Sequence, residues 1–454
     1  MKMKKVTLII ILSVLVGLSG MMAQERYAII DSTDFEELSL GEAVRIGLEN
    51  NYNLKIEDNF REIASNNVTL GNAGFLPTVD GNASMRWSNE DVEQQFVSGD
   101  SQTRDGARSN TVDASIDAEW IVFDGLGMFK RYEQLQQQEM TATYSWKNSV
   151  ESTLYQIAES YYNLRYSAEQ LRVLKETMEI SRARIRIASD KYDVGKTSKT
   201  ELLTAQTDYN ADSSAYINQL NQLQQATINL NLLLGQDSER QYYASDSINA
   251  ISLYSYENLK EEVLKNNSLL KQAESNKIGT TYNVEIVRSE RFPRVTAFGS
   301  YGYSRLESQA GFLLSNQSTG FNYGLRATIP IFNGLNINRR EQNAKIEKDN
   351  AELSYEQVRL EVIAEFERTY SSYQRALGLI ELEMDNTSIA KENIEIAFDR
   401  YKLGRSTFLE LREAQKNAED AKLRLLDAAF AAKILEIQLK RLSGNILEER
   451  ERIN

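Results

Sequence analysis

The chain has 454 residues and a formal net charge of −13, and it contains neither histidine nor cysteine. This composition excludes a histidine general base, a cysteine nucleophile, thiolate metal ligands and disulfide bonds, and no carboxylate-pair or serine–lysine motif stands out. The excess of acidic groups disfavours nucleic acid as a partner. We therefore expect no enzyme, no cofactor and no metal site.

The first 23 residues have the pattern of a secretory signal peptide. Three lysines within residues 2–5 precede an apolar run at 6–18, and Met-Met-Ala at 21–23 forms a cleavage site before Gln24. The alternative is a membrane anchor, but the apolar run is short for a spanning helix. The mature chain is therefore predicted to be exported.

The first helix is predicted from Ser39 to about Gly71. Ser39 is a suitable N-cap with Glu42 three positions later, and an apolar stripe with helical spacing follows. Pro77 marks the change from this helix to the first strand.

Two segments, 78–87 and 111–123, alternate strictly between apolar and polar residues, and a second pair, 295–304 and 321–331, does the same. Alternate side chains lie on opposite faces of a strand, and about 10 residues suffice for a tilted strand to cross a bilayer. A strand of a soluble sandwich would show the same alternation. The polar stretch 88–110 is predicted to be a long exposed loop.

Four membrane strands cannot form a closed barrel, because each open edge would leave backbone groups unsatisfied in lipid. Several chains would have to share one barrel. Two chains give eight strands, a barrel filled by its own side chains, so three chains are the smallest number that leaves an open duct. One face would suit a watery lumen and carries Asp80, Asp113, Asp117 and Glu119. The aromatic residues near the strand ends, typical of an interfacial girdle, are Trp87, Trp120, Tyr301, Tyr303, Phe321 and Tyr323.

A very long helix is predicted from Gly127 to about Tyr192, since its apolar residues recur at spacings of three and four, as in a coiled coil. Such a helix is roughly 100 Å long. Gly195 is suited to the turn at 190–196, and a second helix leads to Gly235. A polar linker at 236–255 and a helix at 256–289 follow.

The sequence then repeats this order. Asn51 and Pro77 match Asn267 and Pro293 at a displacement of 216, and after the hairpins the displacement is 209. We predict a first structural repeat at 24–235, a linker at 236–255, a second repeat at 256–444 and a tail at 445–454.

These features together resemble the TolC family of outer membrane efflux proteins. The most specific residues are Phe-Leu-Pro at 75–77, Phe-Pro at 292–293, Pro-Ile-Phe-Asn-Gly at 330–334 and the turns that follow Tyr192 and Tyr401. The resemblance implies long antiparallel coiled-coil helices that form a trimeric α-barrel. It also implies that four strands per chain contribute to a shared 12-stranded transmembrane β-barrel.

The resemblance further implies the function, partners and location. The expected protein is an outer membrane channel that extends into the periplasm of a Gram-negative bacterium. It would conduct substrates passively for a tripartite efflux or type I secretion system, with a periplasmic adaptor and an inner-membrane pump. The alternative is a coiled-coil surface stalk or adhesin without a pore.

By the same resemblance, three groups of residues form the gated periplasmic entrance. Glu410 and Glu413 would be the entrance constriction. Thr200, Glu201, Tyr401 and Arg405 would be the closed-state latch, although the family's arginine falls on Ser406 here and Arg405 is its neighbour. The adaptor-docking turns would contain Tyr192, Gly195, Lys196, Gly404 and Arg405.

Overall fold

A computed structural model describes residues 36–248, 252–311 and 313–446, so the predicted signal peptide at 1–23 lies outside the described residues. The elements in chain order are β1 (Glu36–Leu38), α1 (Leu40–Asn50), α2 (Tyr52–Asn66), α3 (Leu70–Ala73), β2 (Thr78–Gln95), β3 (Ser101–Phe123), α4 (Gly127–Asp193), α5 (Lys199–Leu234), β4 (Tyr242–Ala244), α6 (Tyr256–Asn266), α7 (Ser268–Ser289), β5 (Arg294–Ser308), β6 (Ser315–Thr328), α8 (Asn336–Lys402) and α9 (Phe408–Leu442). In the part of the chain that the structure describes, no helix is both long and apolar enough to cross a membrane.

Four helices dominate the molecule. Helices α4 and α8 have 67 residues each, and the long helix predicted from Gly127 is confirmed. Helix α4 packs along α5 and α7, while α8 packs along α9 and α7. The two helical hairpins, α4–α5 and α8–α9, also touch through α4 and α9.

The predicted continuous helices at 39–71 and 256–289 are wrong, because asparagines interrupt them. Asn51 has an extended backbone and accepts hydrogen bonds from the amides of Asn53 and Leu54, while its Nδ2 donates to the Leu233 carbonyl at 3.0 Å. Asn267 likewise caps the amide of Leu270, and its Nδ2 donates to the Leu442 carbonyl. Such side-chain bonds replace helical backbone bonds without a glycine or proline signal. A second break, at 67–69, separates α3 from α2.

The four longer strands form one antiparallel sheet in the order β2-β3-β5-β6. The predicted loop at 88–110 is wrong: β2 continues to Gln95, β3 begins at Ser101, and the turn closes with the amide of Phe96 on the carbonyl of Asp100. Polar side chains do not prevent a two-stranded ribbon when both of its faces meet water. The sequence pattern also extended the last strand too far, because Ile329–Ile331 follow its end.

The sheet has one apolar and one polar face, as predicted. The polar face carries Asp117, whose carboxylate accepts hydrogen bonds from Asn82 Nδ2 at 2.7 Å, Ser115 Oγ at 2.6 Å and Ser300 Oγ at 2.5 Å. These bonds join β2, β3 and β5 across the sheet. The opposite face exposes large apolar side chains such as Met85, Ile116 and Phe321.

The predicted linker at 236–255 contains a short strand. Strand β4 pairs in parallel with β1, and the amide of Leu40 donates to Asp246 Oδ2 at 2.7 Å. Tyr161 of α4 is fully buried here, and its hydroxyl bonds to the Leu38 carbonyl and to Asp246. This cluster ties the start and the middle of the described chain to the long helix.

Each strand hairpin, β2–β3 or β5–β6, is connected to the long helix that follows it, and two consecutive residues of the connection have the left-handed conformation. Gly125 and Leu126 have φ of 74° and 70°, and Gly334 and Leu335 have φ of 65° and 61°. A Cβ on Gly125 would lie 2.4 Å from the Ser289 carbonyl oxygen, so only glycine fits there. The leucines are strained by about 1–2 kcal/mol each.

Candidate functional site

The tips of both helical hairpins are the same kind of turn. Gly195 has φ of 72°, and the Lys196 amide donates to the Lys191 carbonyl at 2.7 Å. Gly404 has φ of 70°, and the Arg405 amide donates to the Arg400 carbonyl at 2.8 Å. Both are helix C-caps with a left-handed residue, as predicted for Gly195. Their side chains are exposed, so both turns are accessible in the single chain.

Tyr401 and Glu201 meet between the two hairpins. Tyr401 is 2% exposed, and its hydroxyl donates to Glu201 Oε1 at 2.8 Å. Lys191 Nζ donates to the Tyr401 carbonyl at 2.9 Å and lies 3.8 Å from the centre of its ring. Burial, followed by the hydrogen bond to Glu201, raises the pKa of Tyr401 above its usual range, so the phenol remains a donor at neutral pH.

The other two predicted latch residues make no such contact within the chain. The side chains of Thr200 and Arg405 are exposed and form no hydrogen bond or ion pair with other described residues. The neighbouring Ser406 has a buried hydroxyl oxygen without a partner in the described chain. Of the four predicted latch residues, the structure therefore brings together Tyr401 and Glu201, with Lys191 beside them.

Glu410 and Glu413 lie in the first turns of α9, and both are exposed. The α9 N-cap, Thr407, accepts a hydrogen bond from the Glu410 amide at 3.2 Å. Three residues apart on a helix, the two carboxylates are neighbours on one face. The two exposed carboxylates are separate from the buried side of α9, where Leu411 and Ala414 pack in one cluster with Tyr401.

Sequence reasoning missed a polar cluster near the tips, with two buried and three partly exposed members, which we call the tip network: Arg184, Asp208, Asp212, Arg412 and Gln415. Arg184 is 1% exposed, and its guanidinium lies 3.0 Å from Asp208 Oδ2 and 3.2 Å from Gln415 Oε1. Gln415 Nε2 donates in turn to the Thr177 carbonyl at 3.0 Å. The network therefore joins α4, α5 and α9.

Arg412 forms the second half of the tip network. Its two terminal nitrogens lie 3.0 Å from the two carboxylate oxygens of Asp212, a bidentate pair. The sequence did contain a signal for this network, in the coiled-coil positions of α4. The buried positions of α4 are apolar at Ile157 and Leu164 but become polar at Thr177, Ser181 and Arg184.

Three comparisons with known proteins agree with this geometry. The model of the family described as outer membrane efflux protein matches residues 47–236 and 259–445, well over half of the chain. The chain belongs to the outer membrane efflux protein family. It is an outer membrane efflux channel that extends into the periplasm, as predicted, and the stalk alternative receives no support.

Several relatives of this efflux protein are similar over most of their length. The cation efflux system protein CusC of Escherichia coli O157:H7 is 24% identical over 403 residues, which cover 86% of this chain and 83% of CusC. The toluene efflux pump outer membrane protein TtgI of Pseudomonas putida is 22% identical over 422 residues, which cover 90% of this chain and 86% of TtgI. Both of these relatives are named as efflux proteins, in line with the prediction of a non-enzymatic role.

The efflux protein also shares its fold with a solved channel. The structure of the CmeC outer membrane channel of Campylobacter jejuni superposes with a TM-score of 0.77 at 19% identity, and covers 89% of this chain and 85% of that one. At this identity the likeness supports the arrangement of helices and sheet alone.

Proposed function

We propose that three copies of this efflux protein assemble into one duct, with a shared 12-stranded barrel in the outer membrane and an α-barrel in the periplasm. The observation that carries the proposal is the four-stranded sheet whose edge strands, β2 and β6, have no partner in the described chain. In a bilayer both edges need hydrogen-bond partners. A second copy supplies them when its β2 pairs with β6 of the first.

The surface of α8 supports the same assembly. Apolar side chains form two runs of three there, each with intervals of seven residues, and they are exposed in the single chain, although the helix buries a different face against α9. The exposed residues are Ile346, Leu353, Leu360, Leu382, Ile389 and Ile396. A seven-residue spacing is the pattern by which helices wind around each other. A neighbouring copy would bury this second seam.

The duct is one part of a tripartite efflux or type I secretion system and conducts passively. An inner-membrane pump supplies energy and chooses the substrate, and a periplasmic adaptor joins the pump to the duct. The relatives are named for cation and for toluene efflux, so their names favour no single substrate. The adaptor would dock on the turns at Tyr192, Gly195 and Lys196 and at Gly404 and Arg405, whose exposure leaves them free for a partner.

The entrance is gated at the same end. Three copies of Glu410 and Glu413 would form two carboxylate rings, a constriction that favours cations. The bond between Tyr401 and Glu201 would hold the closed state within each copy. The side chains of Thr200 and Arg405 bond to none of the described residues of their own copy, so they would be available to join the latch across the boundary between copies.

The two halves of the chain, 24–235 and 256–444, are proposed to be structural repeats on either side of the linker, with 445–454 as a tail. The equivalent contacts of Asn51 with Leu233 and of Asn267 with Leu442 support this division. Each asparagine connects the short helices at the start of its half to the C-terminal end of that half's last helix, α5 or α9.

Cysteine cross-linking combined with conductance tests the assembly. Because the chain has no native cysteine, every thiol is an engineered one. Ala83→Cys on β2 is combined in one chain with single cysteines at 317, 319 or 321 on β6, and the purified protein is oxidised and run on a denaturing gel. We expect one pair to give trimers, and the uncross-linked protein to conduct ions in planar bilayers. Monomers that form no cross-link and conduct nothing would contradict the proposal.

A further inference from the structure

A cavity of about 690 Å³ opens where β5 and β6 end and only the β2–β3 ribbon continues. Its lining includes two arginines, a tryptophan and three further polar side chains: Trp87, Asn89, Arg108, Asn110, Arg305 and Glu307. The neighbouring loop contributes Leu314. Neither the gate nor the assembly uses this cavity.

Strand register places these side chains on one face of the sheet. Trp87 pairs with Asn110, which in turn pairs with Glu307. Arg108 lies two positions from Asn110 on β3, and Arg305 lies two positions from Glu307 on β5. Residues two apart on a strand share a face. The two arginines therefore flank the row of Trp87, Asn110 and Glu307.

This face is the apolar one, and the arginines stand at its outer limit. From Val122 to Val112 the residues of β3 on this face are apolar, and the next two are Asn110 and Arg108. Ten residues of a strand tilted by about 40° span roughly 25 Å, which is the height of the lipid-facing band of an outer membrane barrel. The arginines thus lie at the level of the outer headgroups, beside an interfacial tryptophan.

The charges at the cavity are unevenly satisfied. Arg305 Nη2 lies 2.5 Å from Glu307 Oε1, so this arginine is held in place by a carboxylate. Arg108 is exposed and makes no ion pair or side-chain hydrogen bond within the described residues. Asn110 Oδ1 is buried and accepts no hydrogen bond in the described chain. The site therefore offers one free guanidinium, one oriented guanidinium and one unmet acceptor.

We propose that this cavity binds the headgroup of an anionic lipid of the outer leaflet, through a phosphate on Arg108 and Arg305 and a neighbouring hydroxyl on Asn110. A guanidinium matches the geometry of a phosphate. A hydroxyl group would donate the hydrogen bond that Asn110 Oδ1 lacks, and Trp87 would pack against the apolar part of the headgroup region. The net positive charge of the two arginines and Glu307 selects anionic over zwitterionic lipid. This inference rests on the proposed membrane assembly.

Native mass spectrometry of the detergent-purified trimer tests the site. Wild-type protein is incubated with phosphatidylglycerol, with phosphatidylcholine or with millimolar inorganic phosphate, and the bound molecules are counted. We expect phosphatidylglycerol to be retained in preference to phosphatidylcholine. Arg108→Gln should reduce its retention about tenfold, which corresponds to the loss of one charged hydrogen bond, and Arg305→Gln should reduce it less.

Arg86→Gln is the matched control, because Arg86 is exposed on β2 next to Trp87 but lies on the opposite face. It should retain the lipid like wild type. Trimers in which Arg108→Gln and Arg305→Gln retain as much lipid as the control would overturn the site and leave the assembly intact. Displacement of the lipid by inorganic phosphate, with equal binding of both, would make free phosphate the ligand and overturn the lipid assignment. A wild-type monomer that binds no lipid would remove the assembly as well.

Discussion

The phenol of Tyr401 and the carboxylate of Glu201, 200 residues apart in the sequence, are joined by a hydrogen bond of 2.8 Å at the hairpin tips. Tyr401 lies in the last turn of α8 and Glu201 in the first turn of α5, so this bond connects the two helical hairpins of a copy. A second hydroxyl, that of Thr197, also donates to this carboxylate. Opening the entrance by separating the hairpins would break the bond between Tyr401 and Glu201.

Removing that bond should favour the open entrance. Tyr401→Phe keeps the buried ring and loses the donor, which should cost the closed state about 1–2 kcal/mol and raise the open-to-closed ratio roughly five- to thirtyfold. Conductance in planar bilayers measures the change. Tyr192→Phe, at the corresponding position of the other turn, is the control, because Tyr192 is 40% exposed. Equal conductance of both variants and wild type would remove Tyr401 from the latch.

Neutralising the carboxylates near the turn should change how divalent cations block the channel. If Glu410 and Glu413 form the constriction, replacing both with alanine should weaken block from the periplasmic side about tenfold, because the carboxylate rings that attract the cation are gone. Titration of the current with a divalent cation gives the block constant. Glu239→Ala should behave like wild type, because this exposed residue lies in the linker at the other end of α5 from the tip turn. Unchanged block in the double variant would exclude both residues.

Breaking the tip network should destabilise the helical hairpins. Arg184→Met removes a buried guanidinium from Asp208 and Gln415, which should cost about 2 kcal/mol. The cost stays below that of a fully buried pair, because Asp208 is 21% exposed and keeps Arg412 at 3.7 Å. Arg182→Met, two residues earlier, removes an arginine whose side chain is 53% exposed. Its partners are the exposed Glu179 and the Tyr209 hydroxyl at 3.3 Å, so its loss should change stability by about 1 kcal/mol or less. Thermal unfolding followed by circular dichroism compares them. The same unfolding temperature for both variants would show that the network adds no stability.

Acid should weaken the contact between α7 and α8 through Glu341. Hydrogen bonds from Lys345, then from Arg291 and Arg288, lower the pKa of Glu341 to about 2. Because its folded-state pKa is depressed, the stability it contributes is present above the usual carboxyl pKa and is lost as pH falls through about 2. Glu341→Gln should lower the unfolding temperature at pH 7 and reduce its fall towards acid.

The control for the acid experiment is Glu352→Gln, which removes a single exposed ion pair, to Lys277, between the same two helices. Its unfolding temperature should follow the wild-type curve from neutral to acid. If Glu341→Gln follows that curve too, the three cations around Glu341 contribute nothing to the acid response.

Periodicity was sufficient to predict the long helices and the two faces of the sheet. These features repeat every two, three or four residues, so a local pattern reveals them, and the sheet register later paired Trp120 with Ala297 on the apolar face. The helix breaks at Asn51 and Asn267 could not be predicted in this way. Each asparagine satisfies a carbonyl about 180 residues away in the chain, which no local window contains.

Some residues of the candidate gate could likewise be predicted from the sequence, and others could not. Tyr401 and Glu201 were named from the resemblance, and the structure brings them together. Arg184 was missed because a charged residue on a helix is normally solvated, and its burial depends on Asp208 and Gln415 from two other helices. The ribbon at 88–110 was predicted to be a loop, because its polar side chains give no indication of the backbone hydrogen bonds that pair its two strands.

The left-handed residues Leu126 and Leu335 have a mechanical consequence. Together with Gly125 and Gly334, they place two successive residues in the left-handed conformation between each strand hairpin and the long helix that follows it. The close approach of the Ser289 carbonyl to Gly125 leaves no room for a different backbone course at the first of these connections. At the first junction this close packing disfavours a hinge between the sheet and α4. A swap of the strand segment between two relatives should succeed only if this glycine–leucine elbow travels with it.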